Sequence, residues 1–379
     1  MGRSLAVVCT ALLVFLTACT AAEPPGGSPW AELPLPAKDA RILAFTPIAG
    51  GLLVLGSVPG PDGRAPAAWT TSNGHEWRSV AVEPHSPYAF QTELISAGVG
   101  DRITVLGQAF GGAHSNPRMT VWGGDTTKLV EFPQAFELFG GPHSIAVSAA
   151  AALGGTGVLV GQWDGSSHRY GAAVWTSPDN ANWQRSADDP ALSSAVGEQT
   201  AAVGVTTGPP GFLVVGNTQR NGEFEPLAWT SRDGASWQRI ALQGSGAVAQ
   251  RAGCNPDRCV LLGQTLGDRP HALCWPTTDS APVSGLDGAG LDISQVLMSD
   301  SRHWLPIGPV LAVIRIDGTA HLALMNYDCT HWDDIRLPVR AAEARIGALQ
   351  GNGVQGGAVL LATTDQAASR LWIQYPPTE

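Results

Sequence analysis

A chain of 379 residues in which 44% are hydrophobic is apolar enough to fold, yet 46 glycines and 28 prolines interrupt it too often for a helical protein. Many short strands are the expected outcome. The balance of 22 basic against 32 acidic residues gives a net charge of −10 with no cluster of Lys or Arg, which argues against a nucleic-acid partner.

In chain order, Arg3 is followed by an apolar run over residues 5–16 and then by small residues, the layout of an export signal and too short to span a membrane comfortably. The run ends in Leu16-Thr17-Ala18-Cys19, which resembles the bacterial lipobox. That resemblance implies cleavage after residue 18 and lipidation of Cys19, which would hold the mature protein to the outer face of the cell membrane. An ordinary signal peptide with a chance cysteine is the alternative. Residues 20–28 have the composition of a flexible tether. The expected division is a signal at 1–18, the lipidated cysteine and tether at 19–28, and one domain at 29–376, attached to the membrane by lipid alone.

One block then recurs seven times. Each copy begins with an apolar run closed by Gly or Ala, at 52–56, 103–107, 158–161, 212–216, 259–263, 310–314 (where the closing Gly is lost) and 359–362, so that anchors lie 47 to 55 residues apart. Ten to fifteen residues later comes a second strand-like run carrying Trp69, Trp122, Trp175, Trp229, Trp275, Leu324 or Trp372. Eight residues further, Trp77, Trp183, Trp237 and Trp332 mark a third. A short apolar stretch precedes each anchor. Four strands per repeat at this period point to an all-β, seven-bladed β-propeller.

The seventh repeat stops after three strands, whereas Pro29-Trp30-Ala31-Glu32-Leu33 ahead of the first repeat matches the fourth-strand pattern of Trp237-Gln238-Arg239-Ile240. The N-terminal strand is therefore expected to complete the last blade and close the ring, which removes an open sheet edge. Six blades plus a degenerate segment is the competing count.

Three turns between the third and fourth strands read alike: Thr71-Ser72-Asn73-Gly74-His75-Glu76-Trp77, Thr176-Ser177-Pro178-Asp179-Asn180-Ala181-Asn182-Trp183 and Thr230-Ser231-Arg232-Asp233-Gly234-Ala235-Ser236-Trp237. They resemble a shortened form of the Asp-box (BNR) repeat of the sialidase-like propellers. The marks are Ser72, Asn73 and Trp77, then Ser177, Asp179 and Trp183, then Ser231, Asp233 and Trp237. An Asp or Asn there accepts backbone N–H bonds from two residues on, and Gly or Asn tolerates the left-handed conformation. In the family this turn is a structural marker placed away from the catalytic mouth. Sialidases also carry an aromatic-led Arg-Ile-Pro element, an arginine triad and a Tyr/Glu nucleophile pair. Arg41-Ile42 lacks both the aromatic lead and the proline, so no catalytic residue is assigned.

Four cysteines remain in the mature chain besides the lipidated Cys19. Cys254 and Cys259 face one another across a short hairpin and are expected to be bonded, leaving Cys274 and Cys329 as a pair whose strands belong to different repeats. Neither a metal site nor a cofactor signature is present.

In the sialidase-like family, ligands bind on the face that carries the second-to-third-strand turns and the connections between repeats. That places Trp163, His168, Arg169, Tyr170 and Tyr88 on the candidate ligand face, with Phe90, Phe132, Phe136 and Phe139 in the connections 82–92 and 132–144. Asp188, Asp189 and Glu198 share such a connection. The expected role is a monomeric, non-enzymatic binding or assembly module for a cell-envelope protein or glycan, with a sialidase-like glycan hydrolase as the alternative.

Overall fold

A computed structural model describes residues 29–110, 117–166, 170–299, 309–349, 357–365 and 367–375. The signal, Cys19 and the tether lie outside the described residues, as do His168 and Arg169.

The strands are β1 (Ala31–Leu33); β2 (Arg41–Ile48), β3 (Gly51–Gly60), β4 (Gly63–Thr71) and β5 (Arg78–Glu83); β6 (Thr92–Val99), β7 (Ile103–Ala109), β8 (Arg118–Gly124) and β9 (Lys128–Glu131); β10 (Ser144–Leu153), β11 (Thr156–Asp164), β12 (Tyr170–Ser177) and β13 (Gln184–Ser186). The second half continues with β14 (Glu198–Gly208), β15 (Gly211–Arg220), β16 (Glu223–Ser231) and β17 (Gln238–Ala241); β18 (Ala247–Cys254), β19 (Cys259–Thr265), β20 (His271–Trp275) and β21 (Val283–Asp287). Last come β22 (Asp292–Met298), β23 (Val310–Ile316), β24 (Thr319–Met325) and β25 (Trp332–Ile335), then β26 (Glu343–Leu349), β27 (Ala358–Asp365) and β28 (Ala368–Gln374). Two helical turns interrupt the pattern among the described residues, a 3-10 turn at Ala89–Gln91 and α1 (Phe136–Phe139).

These strands form antiparallel meanders: five four-stranded sheets and one eight-stranded sheet, in which β5 and β9 pair in parallel over Ala81–Glu83 and Lys128–Val130. The first strands of successive meanders pack side by side, β2 on β6, β6 on β10, β10 on β14, β14 on β18, β18 on β22 and β22 on β26, and β26 packs back on β2. That ring of meanders is the β-propeller arrangement. Each neighbouring pair shares its own hydrophobic cluster, such as Leu53, Leu55, Val105 and Trp122 between β2–β5 and β6–β9.

Strand composition explains which end of a meander lies inside. Second strands such as Leu52-Leu53-Val54-Leu55 and Leu213-Val214-Val215 are apolar throughout and buried on both faces. Fourth strands such as Gln238-Arg239-Ile240-Ala241 are short and polar, with no side chain fully buried, which suits an outer edge.

The glycine that closes the apolar anchor has a specific cause. In six meanders the inner strand carries one extra residue opposite that anchor: Leu43, Ile95, Ser148, Val203, Gln250 and Ser294 are each skipped by the register. In four of these the inner strand's carbonyl comes so close that a Cβ on Gly56, Gly161, Gly216 or Gly263 would collide with the oxygen of Arg41, Ala146, Ala201 or Val248, whereas a Cβ on Gly107 would meet the Thr92 side chain and the sixth meander carries Ile314. The seventh repeat has Ala362 at this place, and β26 runs unbulged against β27.

Bulged and neighbouring residues also tie the ring together around the axis. Gln250 bonds Ile293 N and Asp292, Gln295 bonds both backbone groups of Ile346, and Arg345 Nε donates to Leu43 O. Closure comes from β1, which pairs with β28 through Ala31↔Ile373, Glu32↔Trp372 and Leu33↔Leu371.

Candidate functional site

The Asp-box turns are local devices, and the structure shows how each side chain contributes. Asp179 Oδ1 accepts the N–H groups of Ala181 (2.9 Å) and Asn182 (2.8 Å), and Asp233 Oδ1 those of Ala235 (2.9 Å) and Ser236 (2.8 Å). Asn73 does the same for His75 and Glu76. The backbone N–H of Asn182 lowers the Asp179 pKa to about 2, and those of Ser236 and Ala235 bring Asp233 to about 2. The following residue is left-handed: Gly74 (φ 77°), Asn180 (φ 64°) and Gly234 (φ 77°).

Two corrections follow. In the first box the hydroxyl that accepts the turn's N–H belongs to Thr71, whose Oγ1 lies 2.8 Å from Gly74 N, not to Ser72, which is exposed. Ser177 and Ser231 do occupy that position. A fourth copy also exists at Asn326-Tyr327-Asp328-Cys329-Thr330-His331-Trp332: Asp328 accepts from Thr330, Cys329 is left-handed (φ 61°), and Trp332 Nε1 donates to Cys329 O at 2.9 Å, as Trp183 and Trp237 donate to Asn180 O and Gly234 O. Its signal was the Asp328-to-Trp332 spacing, which equals that of Asp179 and Trp183.

Cys254 is bonded to Cys259, and Cys274 on β20 to Cys329 with a Cα separation of 6.0 Å, inside the usual range. Both Cys274 and Cys329 are fully buried in the cluster that joins two adjacent sheets.

On the face predicted to hold ligand, Trp163 is a correction. It belongs to β11 rather than to a turn, is only 5% exposed, meets Trp175 edge-on at 6.0 Å and carries the Arg185 guanidinium over its ring at 3.6 Å. Its ring is unavailable for stacking on a ligand. Asp188 and Asp189 are likewise engaged in turns, by Ser166 and by Ala191 N.

Tyr170 is half-exposed and lines a shallow depression of ≈ 540 Å³ with Glu198 and Gln219. Burial by itself would raise the Glu198 pKa, but bonds from Arg239, from Thr218 Oγ1 (2.8 Å) and from Ala195 N (3.2 Å) outweigh it and hold the carboxyl at about 2. A carboxylate so committed is a poor base for a neighbouring phenol. Because its folded pKa lies below the ordinary 4.5, Glu198 contributes stability that is complete above about pH 4.5 and is lost as pH falls towards 2. Urea unfolding of Glu198→Gln should therefore show its largest deficit against wild type at pH 7, with the deficit shrinking below pH 4; parallel pH profiles would refute this role.

Tyr88 lies elsewhere, at the mouth of a cleft of ≈ 240 Å³ between β8 and the connections on either side of β6–β9. Arg118, at the start of β8, has its guanidinium 4.3 Å from the Phe136 ring centre and 5.7 Å from that of Tyr88. Both rings are about half exposed, at 47% and 48%. Cation–π attraction holds the guanidinium between them. Its Nε is buried and has no hydrogen-bond partner among the described residues.

The aromatic wall is braced from behind. Arg185, stacked on Trp163, donates to Glu137 O and Leu138 O, and Trp175 Nε1 donates to Leu138 O at 2.8 Å, so α1 is pinned at its carbonyls. Phe139 is buried against Trp175 and Trp183, and Phe136 on the same turn faces Arg118. Trp163 thus acts through Arg185 and α1. Tyr88 and Tyr170 line separate depressions and do not form one site.

Arginines on the innermost strands are all engaged. Arg41 donates to Glu93 (3.1 Å), which Ser57 and Arg64 also approach; Arg251 bonds Ser294 O and Val203 O; Arg345 bonds Leu43 O and Ala344 O. None of these guanidinium groups stands free to receive a substrate carboxylate. Among the described residues no cluster of His, Cys, Asp and Glu is suited to a metal ion.

No family model matches the sequence, and no curated protein sequence matches it. Solved structures similar to the chain include the β-propeller domain of the Trilobed protease from Pyrococcus furiosus, at 9% identity and TM-score 0.47 over 89% of this chain and 93% of that one. The Trypanosoma rangeli sialidase in complex with the inhibitor DANA aligns at 10% identity and TM-score 0.46, over 89% of this chain and 55% of its own. The WD40 β-propeller domain of Doa1 aligns at 11% identity and TM-score 0.47, over 90% and 95%. Such distant likeness concerns fold alone: this chain is an all-β protein with β-propellers among the structures it is similar to.

Proposed function

We propose that this chain is an exported lipoprotein, tethered through Cys19, whose seven-bladed propeller serves as a non-enzymatic binding or assembly module for a cell-envelope protein or glycan. Seven follows from reading the eight-stranded sheet as two blades that touch at their outer edges. In support, β2–β5 and β6–β9 each repeat the meander, and β2 packs on β6 as every other neighbouring pair of inner strands packs.

The observation that carries the binding role is the Arg118 guanidinium, held between two half-exposed aromatic rings without an ion-pair partner among the described residues. Exposed aromatic groups converging on one unpaired polar group are what a recognition cleft needs. The hydrolase alternative is weaker, because the inner-strand arginines and Glu198 are bonded internally.

The test is crosslinking of the full chain on intact cells of its native host. Wild type should capture an envelope partner that a Tyr88→Ala/Phe136→Ala variant loses, and Cys19→Ala should shift the protein out of the membrane fraction. Equal capture by the cleft variant would overturn the binding role. Turnover of fluorogenic sialosides that Glu198→Gln abolishes would favour the hydrolase instead.

A further inference from the structure

We infer that the Tyr88–Arg118–Phe136 cleft binds the C-terminal carboxylate of a peptide that ends in an apolar or aromatic residue. This rests on the binding-module reading and names its ligand.

The argument begins with which polar groups in the cleft remain available. Glu131 is engaged by His85 N (2.7 Å), Ser86 N (2.6 Å) and Ser86 Oγ (2.6 Å). Gln134 Nε2 donates to Phe132 O and Ala181 O. Thr120 Oγ1 accepts from Trp122 Nε1 at 2.9 Å and meets Thr92 Oγ1 at 3.2 Å. Arg118, by contrast, has no ion pair to a described residue, and its buried Nε has no hydrogen-bond partner among them.

A guanidinium presents five donors in a flat fork that matches a carboxylate, and it holds its charge at every physiological pH. A guanidinium with no ion pair to a described residue is complementary to an anion rather than to a neutral group. Much of the rest of the wall is apolar, with Phe136 and Phe139 beside Pro87, Pro117 and Pro133 and the ring of Tyr88. A sugar would need several converging donors and acceptors, and Glu131, Ser86, Thr120 Oγ1 and Gln134 Nε2 are already bonded within the protein. One carboxylate on an apolar body fits what is left.

Size favours a chain end. At ≈ 240 Å³ the cleft lies below the roughly 300–1,000 Å³ of pockets that enclose drug-sized molecules. It accommodates one terminal residue, with the preceding residues leading out across the exposed rings. Capture of a terminal carboxylate is a recurring mode of peptide recognition.

The test compares binding of the tripeptide Ala-Ala-Phe as free acid and as C-terminal amide to the intact mature protein, by calorimetry or tyrosine and tryptophan fluorescence. The acid should bind at least tenfold tighter than the amide. Arg118→Met should erase that difference, and Arg118→Lys, which keeps the charge but not the fork, should retain part of it. Thermal melts of both variants guard against misfolding, and the acid-to-amide ratio on wild type needs no variant at all. Equal binding of acid and amide, or tighter binding of methyl glucuronide than of the acid, would overturn the carboxylate assignment. If neither peptide binds while Tyr88→Ala/Phe136→Ala still abolishes envelope capture, this inference fails and the module reading stands. If the acid preference holds while capture ignores the cleft, the module reading fails instead.

Discussion

Trp30→Ala is expected to destabilise the protein by about 3–5 kcal/mol, the cost of removing a buried aromatic side chain. Trp30 is 6% exposed and packs with Leu311, Leu322, Leu361 and Trp372, the cluster that joins the last two meanders. Its strand is short, with only three register pairs to β28. Side-chain burial must therefore carry much of the closure, helped by the Glu32–Arg370 ion pair at 2.8 Å, which is half-exposed and worth little alone. Deleting residues 29–35 should go further, leaving β28 with an unpaired edge that invites aggregation. Urea unfolding measures the first and size-exclusion chromatography the second; a Trp30→Ala midpoint within error of wild type would show that closure does not depend on this residue.

A Cys274→Ser/Cys329→Ser variant should lose about 4 kcal/mol, twice the loss of Cys254→Ser/Cys259→Ser, at about 2 kcal/mol. The difference follows from loop length. One bond closes a separation of 55 residues and the other a separation of 5, and constraint of the unfolded chain grows with the logarithm of that number. The long bond also joins two sheets at a buried interface, whereas the short one staples a single hairpin. Urea titrations of the two double variants side by side decide this, and equal losses would refute the loop-length account.

Several features of this fold were legible in the residues because they arise locally. Tryptophan recurs at Trp69, Trp122, Trp175, Trp229 and Trp275 because each of those strands meets a neighbouring sheet at the same depth, and these rings are 3% exposed or less. Asp179 and Asp233 sit where an Asx turn needs an acceptor within three residues. Other features were hidden because they depend on distant partners. Trp163 read as a turn residue, but β11 extends through Asp164, and Arg185 from β13 covers the ring. Arg118 carried no signal in the sequence, since nothing nearby in the chain announces Phe136 and Tyr88. The fourth Asp-box copy escaped because a cysteine, not a glycine or asparagine, occupies its left-handed position.

Sequence alone determined the repeating unit, the order of its strands and the strand spared at the N-terminus, because hydrophobic periodicity and turn chemistry act over a few residues. Tertiary structure decided which aromatic rings are buried and which line a cleft, why four of the anchors close in glycine, and that Arg118 has no ion-pair partner among the described residues. Those outcomes depend on carbonyls, rings and charges that arrive from strands tens of residues away, so they come into being only when the ring of sheets closes.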